Sequence, residues 1–367
     1  MKIAIVVGVL NMGGLEKVTI NIANELSKEH DVDMIVIKEN QNYYSLATNV
    51  NVIEGHVKYN MIEKIFRRFN LVAMKKQKFG YFKENHFVKQ SLQNKSYDVV
   101  IATDGAHTMM TAKALKEINT KHNPKVISWL HNDFNTYYHK YYKPYQNEFA
   151  QSLKMADQVV TLSNDDCQEY GRFNSNTVTI YNPLTIEHTK ISNLKNQEVI
   201  FVGRLMREQK GLDYLLDIAE QLKNTNLKIR VVGDGQDKAW LEQEIDRRQL
   251  QEVIILHGSV KKNIEKLYAN ASLFISTSRW EGFGLVVTEA MACGLPIIAF
   301  ENSGPKEILA DGKYGILIPK YEVVQFAQEI KDMMQNSTKR KLYSEKSLER
   351  ISSFSIEEII KEWHKIL

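Results

Sequence analysis

Two glutamates, Glu281 and Glu289, stand on either side of the glycine turn Gly282-Phe283-Gly284. An apolar run from Ser272 to Ser276 precedes the turn and predicts a buried strand, and the residues from Leu285 onward recur at helical spacing. A strand, a tight turn and a helix in this order bring backbone amides and the positive end of a helix dipole to the carboxyl edge of a parallel sheet. The pattern predicts a site for an anion or a polyhydroxyl ligand, with two carboxylates beside it.

A second loop carries cations. Arg204 and Lys210 follow the apolar run Val199–Val202, and the loop enters a predicted helix. Two cations at this edge of a sheet suit a diphosphate, because Arg binds phosphate in a forked way and Lys acts as a point charge. The alternative is a set of solvated loop charges, and Arg207 is an equally good candidate by charge alone.

The first predicted strand, Lys2–Val9, also leads into a glycine turn. Paired glycines, Gly13 and Gly14, at a strand-to-helix turn allow a ligand to approach the backbone amides closely. The turn is neither Gly-x-Gly-x-x-Gly nor a Walker P-loop, which argues against dinucleotide binding and ATP hydrolysis. The alternative is a plain tight turn.

One histidine, His131, follows the strand predicted at Lys125–Leu130. At the carboxyl end of a strand it could hydrogen-bond a sugar hydroxyl or a phosphate, or act as a base. A lone histidine is more often structural. His107, which follows the preceding predicted strand, is its nearest competitor.

Metal and hydrolytic chemistry fit the sequence poorly. No Cys/His cluster has metal-ligand spacing. The only Asp-x-Asp is Asp31-Val32-Asp33, at the amino-terminal start of the second strand, which is the wrong end for a metal that bridges phosphates; we interpret it as surface. No Gly-x-Ser-x-Gly elbow is present for Ser-His-Asp catalysis.

Strands and helices alternate in two series, which predicts mainly parallel sheets covered on both faces. The first series has strands at Lys2–Val9, Val32–Ile37, Asp98–Thr103, Lys125–Leu130, Gln158–Leu162 and Thr177–Ile180, and helices at Leu15–Lys28, His107–Ile118, Tyr145–Met155 and Asp165–Tyr170. The second has strands at Val199–Val202, Leu227–Val232, Val253–Leu256, Ser272–Ser276 and Pro296–Phe300, and helices at Leu212–Leu222, Lys238–Arg248, Ile264–Tyr268, Val323–Met334, Lys339–Arg350 and Ser355–Ile366. The polar stretch Thr185–Gln197 between them is typical of a linker. We therefore expect an α/β protein of two Rossmann-like domains facing a cleft.

Bulk properties agree with a globular protein of this kind. The 367 residues are too many for one ordinary core, and the chain is 43% hydrophobic and 25% charged. A net charge of +4 argues neither for nor against nucleic acid. Two cysteines, expected in separate domains, indicate a reduced intracellular protein. No stretch reaches the about 18 uninterrupted apolar residues of a membrane span, and residues 1–10 are better explained as a buried strand than as a secretion signal.

The segment 58–95 is strongly basic, with ten Lys or Arg and two Glu. Apolar residues of the segment recur at helical spacing, and Lys64, Arg67 and Arg68 lie among them in the sequence. A basic amphipathic helix can lie on an anionic bilayer, so we expect contact with a membrane surface or an anionic acceptor. The alternative is a core-facing helix with a solvated basic back. The segment has no RNA-binding signature, and we expect no nucleic acid partner.

Taken in order, these motifs resemble the retaining glycosyltransferases of the two-Rossmann GT-B fold, usually called family 4. The most specific mark is E-x7-E, which Glu281 and Glu289 meet. The shorter marks are Gly13-Gly14-Leu15-Glu16, Gly203-Arg204-Leu205 with Lys210-Gly211, Gly233-Asp234-Gly235, and Ser303-Gly304-Pro305-Lys306-Glu307, which matches more loosely. The resemblance covers nearly the whole chain.

The resemblance implies a nucleotide-sugar donor and assigns residues to it. Arg204 and Lys210 would hold the donor diphosphate, and the Gly14 amide would help from the first domain. Glu289 would bind the ribose hydroxyls.

The donor sugar is assigned to a second set. Glu281 would hold it together with the amides of Phe283, Gly284 and Leu285. His131 matches the cleft histidine of the family, which contacts the sugar or the reacting face. The resemblance also implies retention of anomeric configuration and no metal or other cofactor.

The final predicted helix resembles the family's closing helix, which returns to the first domain. We therefore expect an N-terminal, acceptor-side domain of residues 1–183 plus 352–367 and a C-terminal, nucleotide-sugar-binding domain of residues 184–351. UDP is the expected nucleotide. A hexose or N-acetylhexosamine would pass to a cell-surface glycan, a teichoic acid or a lipid-linked acceptor in polysaccharide, capsule or cell-wall biosynthesis. The expected location is cytoplasmic, peripheral on the inner face of the membrane.

Four alternatives stay open at this point. A glycosidase would also use two carboxylates, but it has no use for the cationic loop. A phosphorylase or a sugar-nucleotide epimerase could share the two-domain fold. A non-catalytic nucleotide-sugar-binding module would release no nucleotide when acceptor is added.

Overall fold

The chain forms two compact units in the computed structural model, Met1–Pro183 with Ile359–Leu367 and Leu184–Glu358. The structure describes residues 1–11, 13–38, 44–57, 82–118, 123–186, 190–260 and 262–367. Each unit has a parallel sheet with helices, so the predicted α/β fold class is confirmed.

The N-terminal unit is built on seven parallel strands in the order β3-β2-β1-β4-β5-β6-β7. The strands are β1 (Lys2–Val7), β2 (Asp31–Val36), β3 (Val50–Glu54), β4 (Val99–Thr103), β5 (Lys125–Trp129), β6 (Gln158–Thr161) and β7 (Thr177–Thr179). The helices are α1 (Gly14–Leu26), α2 (Phe82–Asn94), α3 (Gly105–Glu117), α4 (Gln146–Met155) and α5 (Asn164–Gly171), with a π-helix at Asn135–Tyr141 and a 3₁₀ turn at Lys143–Tyr145. The central strands are almost fully buried because helices cover both faces of a parallel sheet.

The C-terminal unit has six parallel strands in the order β10-β9-β8-β11-β12-β13. The strands are β8 (Glu198–Val202), β9 (Lys228–Val232), β10 (Ile254–Gly258), β11 (Leu273–Ser276), β12 (Ile297–Phe300) and β13 (Ile316–Ile318). Its described helices are α6 (Arg207–Lys210), α7 (Leu212–Gln221), α8 (Lys238–Arg247), α9 (Ile264–Asn270), α10 (Leu285–Ala292), α11 (Ser303–Ile308), α12 (Val323–Gln335) and α13 (Ser337–Ile351), with a 3₁₀ turn at Ser352–Phe354. The last helix, α14 (Ile356–Ile366), begins in this unit, and its residues from Ile359 onward belong to the N-terminal unit.

Strand order reverses once in each sheet. The N-terminal sheet runs outward in both directions from the pair β1 and β4, and the C-terminal sheet from β8 and β11. In such sheets the loops after the two central strands diverge and leave a crevice at the carboxyl edge, where ligands bind. The segments that follow β8 and β11 contain the predicted cations and the predicted glutamates, respectively.

The return of the chain to the first unit occurs later than predicted. Residues from Ile359 onward lie in the N-terminal unit, where Trp363 is fully buried, but residues 352–358 lie with the C-terminal unit. Phe354 explains the difference. It is fully buried, its ring lies 5.7 Å from that of Phe283, and its carbonyl accepts from the amide of Leu184 at 2.8 Å.

The segment predicted as a linker has no regular structure where it is described, but it is not loosely attached. Thr185 and Ser192 are buried, and the Ser192 hydroxyl donates to the carbonyl of Ala271. The segment therefore packs on the C-terminal unit.

Asp33 corrects the interpretation of Asp31-Val32-Asp33 as surface. Its carboxylate is buried and accepts from the Tyr97 hydroxyl at 2.6 Å, from Lys95 at 2.9 Å and from Asn51 at 3.1 Å. Strand β2 lies inside the sheet, so Asp33 is covered and its charge is balanced by Lys95. Lys95 thereby serves the fold of the unit, although it belongs to the basic segment.

Most of the basic segment, including the predicted amphipathic helix with Lys64, Arg67 and Arg68, lies outside the described residues. Lys89, on α2, pairs with Glu117 at 3.2 Å. Among the helices that the structure describes, none combines the length and the apolar character needed to cross a membrane.

Candidate active site

The donor-site residues predicted in the C-terminal unit lie on two segments, each a loop with the helix that follows it, and the two segments start from neighbouring strands. Strands β8 and β11 pair in parallel, with Leu273 opposite Val199 and Phe274 opposite Ile200. Their carboxyl ends therefore release the loop of Arg204 and Lys210 beside the loop of Glu281.

Lys210 and Glu281 form an ion pair at this edge of the sheet. The side chains are 12% and 10% exposed, so the pair is largely withdrawn from water. The Ser278 hydroxyl donates to the same carboxylate oxygen, Oε1, at 2.7 Å. The residues that the sequence assigned to the diphosphate and to the sugar are thus in direct contact.

The structure separates the two arginines that charge alone left equivalent. The Arg207 guanidinium stacks on Trp240, 4.4 Å from the ring centroid, and its backbone amide donates to Asp237. Arg204 is exposed, and its side chain makes no ion pair with any residue that the structure describes. Arg204 is the cation of this loop that is available to a ligand.

The glycine turn between the glutamates is strained in a way that only glycine tolerates well. Gly284 has φ of +105° and immediately precedes α10, whose first residue is Leu285. Among the described residues, no side chain makes a capping hydrogen bond at this helix terminus. The amides of Gly284 and Leu285 therefore lie where a helix leaves N–H groups without helical partners, and the Phe283 amide directly precedes them.

Glu289 lies in α10 and is held by two hydroxyls. Thr185 donates to Oε1 at 2.5 Å and Tyr268 to Oε2 at 3.1 Å. Burial, together with the Glu289 charge, raises the pKa of Tyr268 well above its ordinary value, so the hydroxyl remains a donor. The same two causes raise the pKa of the Cys293 thiol to about 12, which leaves it unreactive.

His131 lies in the N-terminal unit just beyond β5. It is buried, its ring lies 4.3 Å from that of Trp129, and Nε2 finds no hydrogen-bond partner among the described residues. Burial, and to a lesser extent the nearby His107, lower the pKa of His131 to about 3. The imidazole is therefore neutral at physiological pH.

The competitor His107 makes its hydrogen bonds to residues that directly precede its own helix. Its backbone amide donates to Asp104 at 3.0 Å, and Nδ1 contacts the carbonyl of Thr103. Gly14, the remaining predicted residue of this unit, is exposed at the first position of α1, and Gly13 is the N-cap of that helix. His131 and Gly14 belong to one unit, and the other predicted residues to the second.

Several site residues were not predicted. Ser278 precedes Glu281 by three positions, and a hydroxyl that close to a loop carboxylate was a usable signal. Thr185 lies 104 positions from Glu289, and Tyr268 lies on a different helix, so neither contact could be predicted from the sequence. Asn302 is buried beside this loop, where its amide donates to the Ser278 carbonyl at 3.1 Å.

Glu29, His30 and His364 are the one group of side chains in the described part of the chain that could together hold a metal ion. Their ligand atoms lie within 4.8 Å of one another, and all three belong to the N-terminal unit. None of them is a predicted donor-site residue. The expectation that donor binding needs no metal stays a prediction.

The fold has well-defined relatives among solved structures. Anabaena Alr3699/HepE in complex with UDP superposes with a TM-score of 0.77 over 100% of this chain and 99% of that chain, at 20% identity. At this identity the likeness shows the fold alone, and that fold is the GT-B fold of glycosyltransferases.

The sequence comparisons establish the family. Residues 185–350 match the model for glycosyl transferases group 1, and residues 12–188 match the model for Glycosyltransferase Family 4. An uncharacterized glycosyltransferase of Haemophilus influenzae is 30% identical over 97% of this chain and 96% of its own length. The chain belongs to the group 1 glycosyltransferases, and it is an enzyme that transfers glycosyl groups. This membership favours a transferase over the epimerase, phosphorylase, glycosidase and binding-module alternatives.

A second relative has a more specific name. It is the "GalNAc-alpha-(1->4)-GalNAc-alpha-(1->3)-diNAcBac-PP-undecaprenol alpha-1,4-N-acetyl-D-galactosaminyltransferase" of Campylobacter jejuni. It is 27% identical over 100% of this chain and 98% of its own length.

The buried neutral His131 predicts an acid-dependent stability. The folded protein keeps this ring unprotonated down to about pH 3, whereas the unfolded chain protonates it near pH 6.5. The unfolded state therefore binds more protons within this window, and stability falls as the pH decreases through it, by up to about 1.4 kcal/mol per pH unit.

Urea unfolding followed by tryptophan fluorescence at pH 7 and pH 5 measures the effect. His131→Asn should lose about 2 kcal/mol less than the wild type between these pH values. His257→Asn, which replaces an exposed histidine of β10, should behave like the wild type. An identical acid dependence in the wild type and His131→Asn would show that His131 is not a buried neutral group.

Proposed function

We propose that this enzyme transfers a hexose or N-acetylhexosamine from a UDP-sugar to a cell-surface glycan, a teichoic acid or a lipid-linked acceptor, with retention of anomeric configuration. The observation that carries the proposal is the Lys210–Glu281 pair at the switch point of the C-terminal sheet, with the exposed Arg204 on the segment that leads to Lys210. It supplies a cation and a carboxylate to one ligand that needs both, a diphosphate joined to a sugar.

The cations act on the leaving group. As the glycosidic bond breaks, negative charge grows on the nucleoside diphosphate. Lys210, Arg204 and the backbone amides at the start of α10 would stabilise that charge where it develops. Because this charge stabilisation comes from the chain itself, we propose that the donor needs no bridging metal.

The ion pair gives Glu281 two states in this proposal. Without donor, its carboxylate accepts from Lys210 and Ser278. An incoming diphosphate competes for Lys210, and the released carboxylate can then accept from hydroxyls of the donor sugar. Ser278 would keep the carboxylate from moving far. Glu289, held by Thr185 and Tyr268, would accept from the ribose hydroxyls.

The N-terminal unit would supply the acceptor side. His131 is neutral and Nε2 is uncommitted within the described residues, so the ring can bind a hydroxyl near the reacting carbon without bringing a positive charge. The Gly14 amide, at the start of α1, would assist the diphosphate. Proton removal from the acceptor is left to the departing phosphate.

The relatives support the substrate classes. The Anabaena structure contains UDP, and the name of the Campylobacter jejuni relative specifies a PP-undecaprenol-linked glycan and an alpha linkage. An acceptor carried on a membrane lipid would also give the basic segment 58–95 a role. We propose that this segment brings the enzyme to the inner face of the membrane as a peripheral protein.

A donor and acceptor screen tests the reaction. Purified enzyme should release UDP from one UDP-sugar when a lipid-diphosphate-linked or polyol-phosphate glycan is present, and NMR of the product should show the anomeric configuration of the donor. Release of free nucleotide and free sugar without acceptor would indicate hydrolysis. Selective use of GDP- or ADP-sugars would contradict the UDP assignment, and an inverted product would contradict retention.

The cationic loop gives a sharper prediction for binding. Arg204→Ala and Lys210→Ala should each weaken UDP binding by about 1.5–3 kcal/mol, the range of charge-assisted hydrogen bonds. The loss should be larger for Lys210→Ala, because that change also leaves the Glu281 carboxylate uncompensated near the diphosphate. Isothermal calorimetry with UDP measures both.

Arg207→Ala is the matched control on the same loop. Its guanidinium is stacked on Trp240, so UDP affinity should change by less than about 0.5 kcal/mol. An Arg207→Ala effect as large as that of Arg204→Ala would refute the assignment of Arg204 to the diphosphate.

A further inference from the structure

The helical turn α6 carries Lys210, and it is only four residues long. A helix this short has no stability of its own, because nucleation is costly and few hydrogen bonds repay it. The Arg207 carbonyl accepts from the Gly211 amide at 3.0 Å, and the three carbonyls that follow it lie in the last turn of a helix, where helical partners are lacking. The position of Lys210 therefore depends on what lies against this turn.

The segment Thr277–Arg279 after β11 provides that support. The Arg279 guanidinium donates to the carbonyls of Arg207 at 3.1 Å and Glu208 at 3.2 Å. The Arg279 amide donates to the carbonyl of Gln209 at 2.8 Å, and the Thr277 hydroxyl donates to that of Lys210 at 2.8 Å. Every carbonyl of the turn accepts from this one segment.

The next residue of the chain fits the same contact. Gly211 has φ of +61°, and a Cβ atom there would lie 2.2 Å from the carbonyl oxygen of Thr277. Only glycine allows the two loops to approach this closely. The turn is thus fixed by backbone contact as well as by the arginine.

Arg279 is itself held on two further sides. Its Nη2 pairs with Asp213 at 2.6 Å, and its guanidinium carbon lies 4.1 Å from the ring centroid of Tyr214. Both partners belong to α7, which directly follows the turn. A planar guanidinium can use several donors and stack on an aromatic ring at once, and a lysine cannot.

We propose that Arg279 is a positioning residue for the donor site. It fixes the turn Arg207–Lys210 against the loop that carries Ser278 and Glu281, so that Lys210 Nζ stays where the carboxylate and the diphosphate compete for it. The inference rests on the proposed function for its purpose, but the contacts that carry it are independent of any ligand. Arg279 would not touch the donor.

A role limited to stability is the main competing explanation, and the chain offers a matched control. Arg230 pairs with Glu198 in the same unit through two bonds, at 2.8 Å and 2.6 Å, and its side chain is 23% exposed. The Arg279 side chain is also 23% exposed. Arg230 and Glu198 lie within the adjacent strands β9 and β8 and hold no carbonyl of the turn.

The experiment compares Arg279→Gln, Arg279→Lys and Arg230→Gln in the full-length protein. Amide hydrogen exchange should rise at least about tenfold at residues 207–211 in Arg279→Gln and less in Arg279→Lys, with no change there in Arg230→Gln. Calorimetry should show UDP binding weakened about tenfold by Arg279→Gln and less than about twofold by Arg230→Gln, even if both lower the thermal midpoint equally. The donor KM should rise more than kcat falls.

The hydrogen-exchange measurement and the calorimetry together distinguish a failure of the positioning role from a failure of the proposed function. Unchanged exchange at residues 207–211 in Arg279→Gln overturns the positioning role, whatever UDP does. Equal loss of UDP affinity in Arg279→Gln and Arg230→Gln also overturns it, since stability alone would then explain the effect. If the wild type binds no nucleoside diphosphate, the proposed function fails, and the proposed purpose of the Arg279 contacts fails with it. The hydrogen-exchange measurement still decides whether Arg279 fixes the turn.

Discussion

One ion pair, Lys210 with Glu281, is held largely out of water at the switch point of the C-terminal sheet, and the proposed donor site depends on it. Withdrawing two charges from water costs several kcal/mol for each ion, and the attraction between them often does no more than offset that cost. A pair of this kind is weak evidence for stability. We explain it better as part of a ligand-binding site. A diphosphate can replace Glu281 as the partner of Lys210, and a sugar hydroxyl can replace Lys210 as the partner of Glu281.

The fold makes the pair possible through strand order and backbone contact. Strands β8 and β11 are neighbours, so Lys210 and Glu281 meet although they lie 71 positions apart in the chain. The segment Thr277–Arg279 then donates hydrogen bonds to all four carbonyls of the turn Arg207–Lys210. The cation and the carboxylate are thus presented by two loops that behave as one, and the exposed Arg204 extends the positive surface from the same loop.

The sequence alone predicted the α/β architecture well, because alternating apolar runs and glycine turns are local signals. It could not predict contacts between distant residues. Lys210 and Glu281 were assigned to different parts of the donor, and their pairing follows only from the neighbouring strands. Charge did not distinguish Arg204 from Arg207 until Trp240 was found beneath Arg207. Asp33 was interpreted as surface because its partner Lys95 lies 62 positions away. The predicted boundary at 352 missed the burial of Phe354, which ties residues 352–358 to the C-terminal unit.

A crystal structure of the enzyme with bound UDP tests the central claim most directly. We predict that oxygens of the diphosphate lie within hydrogen-bonding distance of Lys210 Nζ and the Arg204 guanidinium. The Glu281 carboxylate should no longer accept from Lys210 but should keep its hydrogen bond from Ser278. The turn Arg207–Lys210 should retain its bonds to Thr277 and Arg279. A diphosphate bound elsewhere, or bound while the Lys210–Glu281 pair remains intact, would contradict the account.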